Sequence, residues 1–280
     1  MALRTSLAIV ATLAGLAAAA AAGAAAFLWS GVYDIAATAQ HLQLTYDVLR
    51  LTGERSIRHH ARDLVEPPLD DPALAARGAL CYRDKCLVCH GGPGVAQGEI
   101  GRSMQPLPGP LVDATRTYRP RELYWVVKKG IKMSGMPAWE YRLADADHWA
   151  LVAFLQRLPA LDPVQFRAAT LDRSAEACVS PAASSEDVAD PVRGRIALTQ
   201  YACNACHRIP GVTGSQVHVG PPLAGIAGRG LIAGKLPNTP EQLAAWIRHP
   251  QRIDPGTAMP DLGVGERDAR DIAAYLGTLH

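Results

Sequence analysis

The chain opens on Leu7 to Trp29, 23 residues without a charge, preceded by Arg4. That run is long enough to cross a bilayer as a helix, although twelve of its residues are alanine and its hydrophobicity is modest. From Leu44 to Leu64 apolar positions recur among Arg50, Arg55, Arg58, His59, His60 and Arg62, which predicts an amphipathic helix. A short helix around Gly78 and Tyr82 follows, then Gly91 to Pro110, a Gly/Pro-rich stretch with no useful period. Arg121 to Lys128 predicts a helix carrying Leu123, Trp125 and Val126. Asp145 to Leu158 predicts another, with an Asp-rich first turn and a stripe of Trp149, Val152, Ala153 and Leu155. Pro159 stops it. The same order then returns. Gly194 to Tyr201, a loop with Gly220-Pro221-Pro222-Leu223, a helix at Pro240 to His249 with Trp246, and a last helix at Glu266 to Leu279 follow in turn. The pattern predicts an all-α chain containing an internal repeat of about ninety residues.

Length and composition add bounds. A chain of 280 residues suits two domains of ordinary size. With 49% apolar and 19% charged residues it is neither a disordered tail nor a polytopic membrane protein. Aromatics at 6%, against 25 Gly and 21 Pro, suit short helices and long loops that need something besides a large aromatic core. A net charge of +2 excludes nucleic-acid binding driven by bulk charge. The His59-His60 pair reads as part of a polar helical face and receives no function.

The six cysteines change the picture most. Four fall in two copies of one spacing, Cys86-Leu87-Val88-Cys89-His90 and Cys203-Asn204-Ala205-Cys206-His207. C-x-x-C-H is the spacing of covalent c-type haem attachment. Residues three apart share one side of a helical turn, so both thiols reach the two vinyl groups of one porphyrin. The adjacent His is then aimed at the iron. One such motif alone could be half of a zinc site. Two copies with matching downstream methionines favour two covalently bound haem c groups. Met136 stands in Gly135-Met136-Pro137, 46 residues after His90, and Met259 in Ala258-Met259-Pro260, 52 after His207. A thioether opposite His gives a six-coordinate iron of raised potential. His90 with Met136, and His207 with Met259, are therefore the expected iron ligands. Met133 is the rival in the first half, and Met104, only 14 residues past His90, reads as packing. Cys81 and Cys178 remain, and in an oxidising compartment they are expected to form a disulfide. The competing reading packs Cys81 as a small apolar residue.

Each half resembles a class I cytochrome c domain, over residues 74–160 and 191–280. The resemblance implies two terminal helices crossing near the haem edge, and a proline before the middle helix that accepts or orients contacts to the ligating His. Pro221 or Pro222 matches that proline in the second half, and Pro110 is the nearest fit in the first. The run Leu236-Pro237-Asn238-Thr239-Pro240, with Trp246, Pro255-Gly256 and Met259-Pro260, is similar to the cytochrome c domain of caa3-type oxidase subunit II. Residues 1–30 are then a membrane anchor or signal segment, 31–73 an N-terminal extension and 161–190 a linker. The linker reading rests on six acidic residues against Arg167 and Arg173, with Pro163, Pro181 and a run of small residues. The two repeats carry +4 (71–160) and +3 (191–280).

These features point to a dihaem cytochrome c held by an N-terminal transmembrane helix in the bacterial inner membrane, with its haem domains in the periplasm. The length of the apolar run favours a retained anchor. Cleavage near Ala24-Ala25-Ala26, leaving a soluble periplasmic protein, is the alternative. With both irons closed by His and Met, no catalytic residue is expected, and the role is single-electron transfer. Redox partners are expected to be proteins: a terminal oxidase, a quinol-oxidising complex or a dehydrogenase. The alternatives are the electron-accepting subunit of a periplasmic dehydrogenase complex, and a dihaem peroxidase with one methionine off its iron. Because the oxidase-like run lies in the second half, electrons are expected to enter at Cys86-Cys89-His90 and leave at Cys203-Cys206-His207.

Overall fold

The computed structural model describes residues 2–172, 178, 188–214 and 216–280. Among the described residues it is helical, with one hairpin of two-residue strands, and it divides into two compact units. Residues 1–140 and 145–178 form the first unit, and 141–144 with 179–280 the second.

The first unit begins with α1 (Ala2–Ser30), whose stretch Thr5–Ser30 is apolar and long enough to cross a membrane. Next comes α2 (Gln43–Ala61), the amphipathic helix, which buries Ile57 and Ala61 and stacks His60 flat on Trp125. The helix α3 (Pro72–Cys81) starts where Asp71 caps the Ala73 amide and Pro72 fills the first turn. A single π turn, Tyr82–Cys86, passes into α4 (Leu87–His90), which carries the first C-x-x-C-H. Two short helices follow, α5 (Glu99–Arg102) and α6 (Ala114–Thr117), and then α7 (Pro120–Lys129) and α8 (Asp145–Arg157).

The packing of α3 on α8 sets this unit. Gly78 lies so close to α8 that a Cβ there would collide with the Ala150 carbonyl. Arg77, the residue before it, ion-pairs with buried Asp147 on α8. The second unit repeats the device. Its α10 (Pro191–Gln200) crosses α13 (Glu266–Leu276) at Gly194, where a Cβ would collide with the Asp271 carbonyl. Arg193 holds Asp271 with two hydrogen bonds of 2.7 and 2.8 Å. Between these helices lie the hairpin of β1 (Leu231–Ile232) and β2 (Leu236–Pro237), then α11 (Pro240–Arg248) and α12 (Pro250–Ile253). Leu198, Trp246, Ile247, Ile272 and Leu276 centre the second unit's core.

The stretch expected as a linker differs from that expectation. It holds α9 (Pro163–Leu171), capped by Asp162 and Gln165, and α9 belongs to the first unit. Its Phe166 is buried and meets the rings of Tyr82 and Phe154 at 5.9 and 6.3 Å. The acidic average over thirty residues masked Val164, Phe166 and Leu171 among its first eleven. Residues 173–177 and 179–187 of that stretch lie outside the described residues. Cys81 and Cys178 are bonded, with their Cα atoms 4.9 Å apart, as expected from the two spare thiols.

Two tests follow from this packing. Gly78→Ala or Gly194→Ala forces the helices apart. Each is expected to cost at least the roughly 1–3 kcal/mol typical of overpacking, read as a fall in the denaturation midpoint of the holoprotein. Alkylation of the unreduced, denatured holoprotein is expected to label neither Cys81 nor Cys178; labelling of both would reject the bond.

Candidate functional site

In the first unit α3, the π turn and α4 deliver Cys86, Cys89 and His90 to a cavity of about 590 Å3. Its size lies within the roughly 300–1,000 Å3 of cofactor sites. Met136 lines the same cavity, and Leu123, Val127, Leu151 and Leu155 give it apolar walls. Burial in that setting pushes the Cys86 thiol up to about 12, with the neighbouring Cys89 adding to the effect. A Cys86 thiol kept neutral in an apolar slot suits a porphyrin plate better than a zinc knuckle, which requires thiolates.

His90 is oriented from behind. Its Nδ1 lies 2.8 Å from the Gly109 carbonyl. A carbonyl can only accept, so Nδ1 carries the proton and Nε2 keeps its lone pair for a metal. The sequence reading placed this contact near Pro110. The acceptor is one residue earlier, because Pro110 fixes the chain while the carbonyl it presents belongs to its predecessor. Tyr82 closes the other flank by donating to the Gly91 carbonyl at 2.6 Å.

The second unit uses the same arrangement. His207 Nδ1 lies 2.8 Å from the Pro221 carbonyl, again the residue before a Pro-Leu pair, which decides between Pro221 and Pro222. Gly220 donates to the Cys206 carbonyl at 2.9 Å, and a Cβ on it would lie within 3.0 Å of three atoms of the His207 ring. Cys203, whose thiol burial pushes up to about 11, and Met259 are both partly buried against the unit's core. A cavity of about 350 Å3 beside His207 includes Asn204, Ile209 and Pro222 in its wall, but not Met259. The four residues of the first set thus share one cavity, whereas in the second His207 borders the smaller cavity and Cys203 and Met259 pack against the core.

The methionines are held by a feature that the sequence reading did not single out. The Met136 amide donates to the Ser134 hydroxyl at 3.2 Å, and the Met259 amide to the Thr257 hydroxyl at 3.2 Å. A hydroxyl residue two places before Met-Pro is the signal that could have shown it. Met133 points away. It is 94% exposed, in a left-handed backbone conformation at φ +60°.

Residues 73–155 match the family described as cytochrome c oxidase, cbb3-type, subunit III, and residues 192–280 match the family described as cytochrome c. Cytochrome c2 of Rhodopila globiformis is 38% identical over 103 residues, covering 32% of this chain and 93% of that protein. The chain belongs to the cytochrome c family. Cytochrome c oxidase subunit 2 of Alkalihalophilus pseudofirmus is 38% identical over 88 residues, 31% of this cytochrome and 25% of that protein. The cytochrome thus spans about a quarter of that relative's length. A chain of the Kuenenia stuttgartiensis reducing HAO-like protein complex overlays 77% of the cytochrome and 99% of itself, at 16% identity and a TM-score of 0.26.

The cytochrome is therefore an all-α, haem-binding electron-transfer protein with two cytochrome c domains. One expectation is corrected. An oxidase-subunit family matches the first domain, so oxidase likeness is not confined to the second half. The argument that assigned electron exit to the second centre loses its basis.

Thr257→Ala removes the acceptor for the Met259 amide. With a hydrogen bond worth about 0.5–1.5 kcal/mol, amide exchange at Met259 is expected to quicken about two- to tenfold. Unchanged exchange would show that the hydroxyl does not hold the loop.

Proposed function

We propose that the chain is a dihaem electron carrier with one covalent haem c in each domain. The first is held by Cys86, Cys89, His90 and Met136, and the second by Cys203, Cys206, His207 and Met259. The domains are taken as 74–160 and 191–280, with α9 as an addition to the first. The observation that supports this best is the repeated hydrogen bond behind each imidazole. In both units the His that ends C-x-x-C-H donates from Nδ1 to the carbonyl before a Pro-Leu pair.

When bound, a haem supplies a one-electron iron couple there. The chain's residues do the rest. The paired thiols fix the ring, and the Nδ1 bonds aim each imidazole while raising its basicity. The hydroxyls of Ser134 and Thr257 steady the methionines on the other side. His90 with Met136, and His207 with Met259, would hold each iron and would leave no position for a substrate, which supports a carrier in preference to a peroxidase.

The apolar helix Thr5–Ser30 supports attachment to the bacterial inner membrane, with the haem domains in the periplasm, where c-type haem is attached. Tethering raises the effective concentration of a membrane-bound partner. A terminal oxidase is the favoured partner, on the likeness of this chain to two oxidase-subunit types. Neither centre is assigned as the point of exit.

Purified holoprotein is expected to contain two haems per chain by pyridine haemochrome, and Cys203→Ala/Cys206→Ala is expected to contain one. Met259→Leu is expected to remove half of the long-wavelength absorption band that marks sulfur–iron bonding, and Met133→Leu none of it. A full band in Met259→Leu would overturn the second ligand set. Unchanged oxygen uptake in membranes lacking the protein would overturn the oxidase partnership.

A further inference from the structure

Met104 stands only fourteen residues after His90, yet two close packings bring it into the first cavity. Gly101 lies against the backbone of Cys89, where a Cβ would come within 2.6 Å of the carbonyl oxygen. The short helix α5 is thereby pressed onto the attachment turn. The Met104 amide then bonds back to the Gly101 carbonyl at 3.3 Å and reverses the chain. The Met104 sulfur occupies the place that a side chain at Gly135 would need. Gly135 directly precedes Met136, and both methionines line the cavity. Two thioethers thus meet it at adjoining parts of its wall.

We propose that Met104 is a reserve sulfur ligand, taking the sixth position at the first centre when the Met136 thioether is lost. The inference rests on the reading of Met136 as the native ligand. Methionine is unbranched, with three rotatable bonds, so its sulfur can be re-aimed by rotamer changes without moving its backbone. The rival donors are less suited. Lys85 also lines the cavity, but its ammonium lies over the Trp139 ring at 5.7 Å and must lose both a proton and that contact to ligate. Water brings an unpaired polar group among apolar walls. A neutral thioether does neither, and the exchange moves no electrons or protons.

The test uses the full-length holoprotein, loaded with two haems per chain as a control on folding. Its readouts are the sulfur–iron band, near-infrared magnetic circular dichroism and a potentiometric titration. Met136→Leu, and Met136→Ala in case Leu blocks the path, are expected to keep the whole band while shifting the potential of one centre. Met104→Leu alone is expected to change neither. Met136→Ala/Met104→Leu is expected to lose half the band. A loss of half the band in both Met136 single variants, with an amine or oxygen signature, would overturn the reserve role and leave Met136 as native ligand. Loss of half the band in Met104→Leu alone, or a full band in the double variant, would overturn the reading of Met136 as well.

Discussion

Two glycines govern the architecture. At Gly78 and at Gly194 the backbones of the first and last helices of a repeat come closer than any side chain would allow. Without that approach the first helix of each repeat would stand off its partner and deliver the C-x-x-C-H turn elsewhere. The arginine before each glycine then ties the crossing to an aspartate on the opposite helix. The tie is not copied atom for atom. Ala150 and Asp271 face the two glycines, so Asp271 sits at the crossing, whereas Asp147 sits one helical turn earlier. The contact of backbone with backbone is the fixed element, and the charge pair adapts to it.

From that fixed crossing the rest of each site follows by short steps. In the first repeat the helix hands over to the attachment turn through a π turn, and in the second the attachment turn itself begins as a 3-10 turn at Cys203. The imidazole then needs only a carbonyl behind it, and a proline supplies that by fixing the residue ahead of itself. This explains why Gly109 and Pro221, chemically unlike, do the same work. A backbone acceptor places no demand on its own side chain. The cores differ more. An aromatic trio of Tyr82, Phe154 and Phe166 backs the first site, and aliphatic side chains around Trp246 back the second.

Much of this was legible in the sequence because it is periodic or covalent. The helices at 120–129, 145–157, 240–248 and 266–276 lie within a few residues of their expected positions. Their apolar stripes repeat at the helical spacing, and Pro159 marks a stop. The disulfide was readable by elimination in an oxidising compartment. What stayed hidden depends on a third dimension or on local averages. The α9 helix was hidden by the acidic mean of its surroundings, although Asp162 and Gln165 form a capping box around Pro163. The acceptor for His90 is not legible, because a motif marks the proline and not the carbonyl it orients. Met104 looked too near His90 in sequence to share its cavity. Separation along the chain says little once a glycine such as Gly101 lets the backbone fold flat.

The repeat also shows which parts of such a site tolerate change. Conserved between the two units are the groups that set direction: the crossing glycine, the Nδ1–carbonyl bond, and the hydroxyl two residues before the methionine. Varied are the walls. The first unit encloses Cys86, Cys89, His90 and Met136 in one apolar cavity, while in the second His207 borders a smaller cavity whose wall includes Asn204 and Gln216. Iron potentials respond to the polarity and solvent access of the surroundings as well as to the axial ligands. On the proposed reading, identical ligand sets on a shared frame would hold electrons at different energies, and repacking the walls would change a potential while leaving the frame untouched.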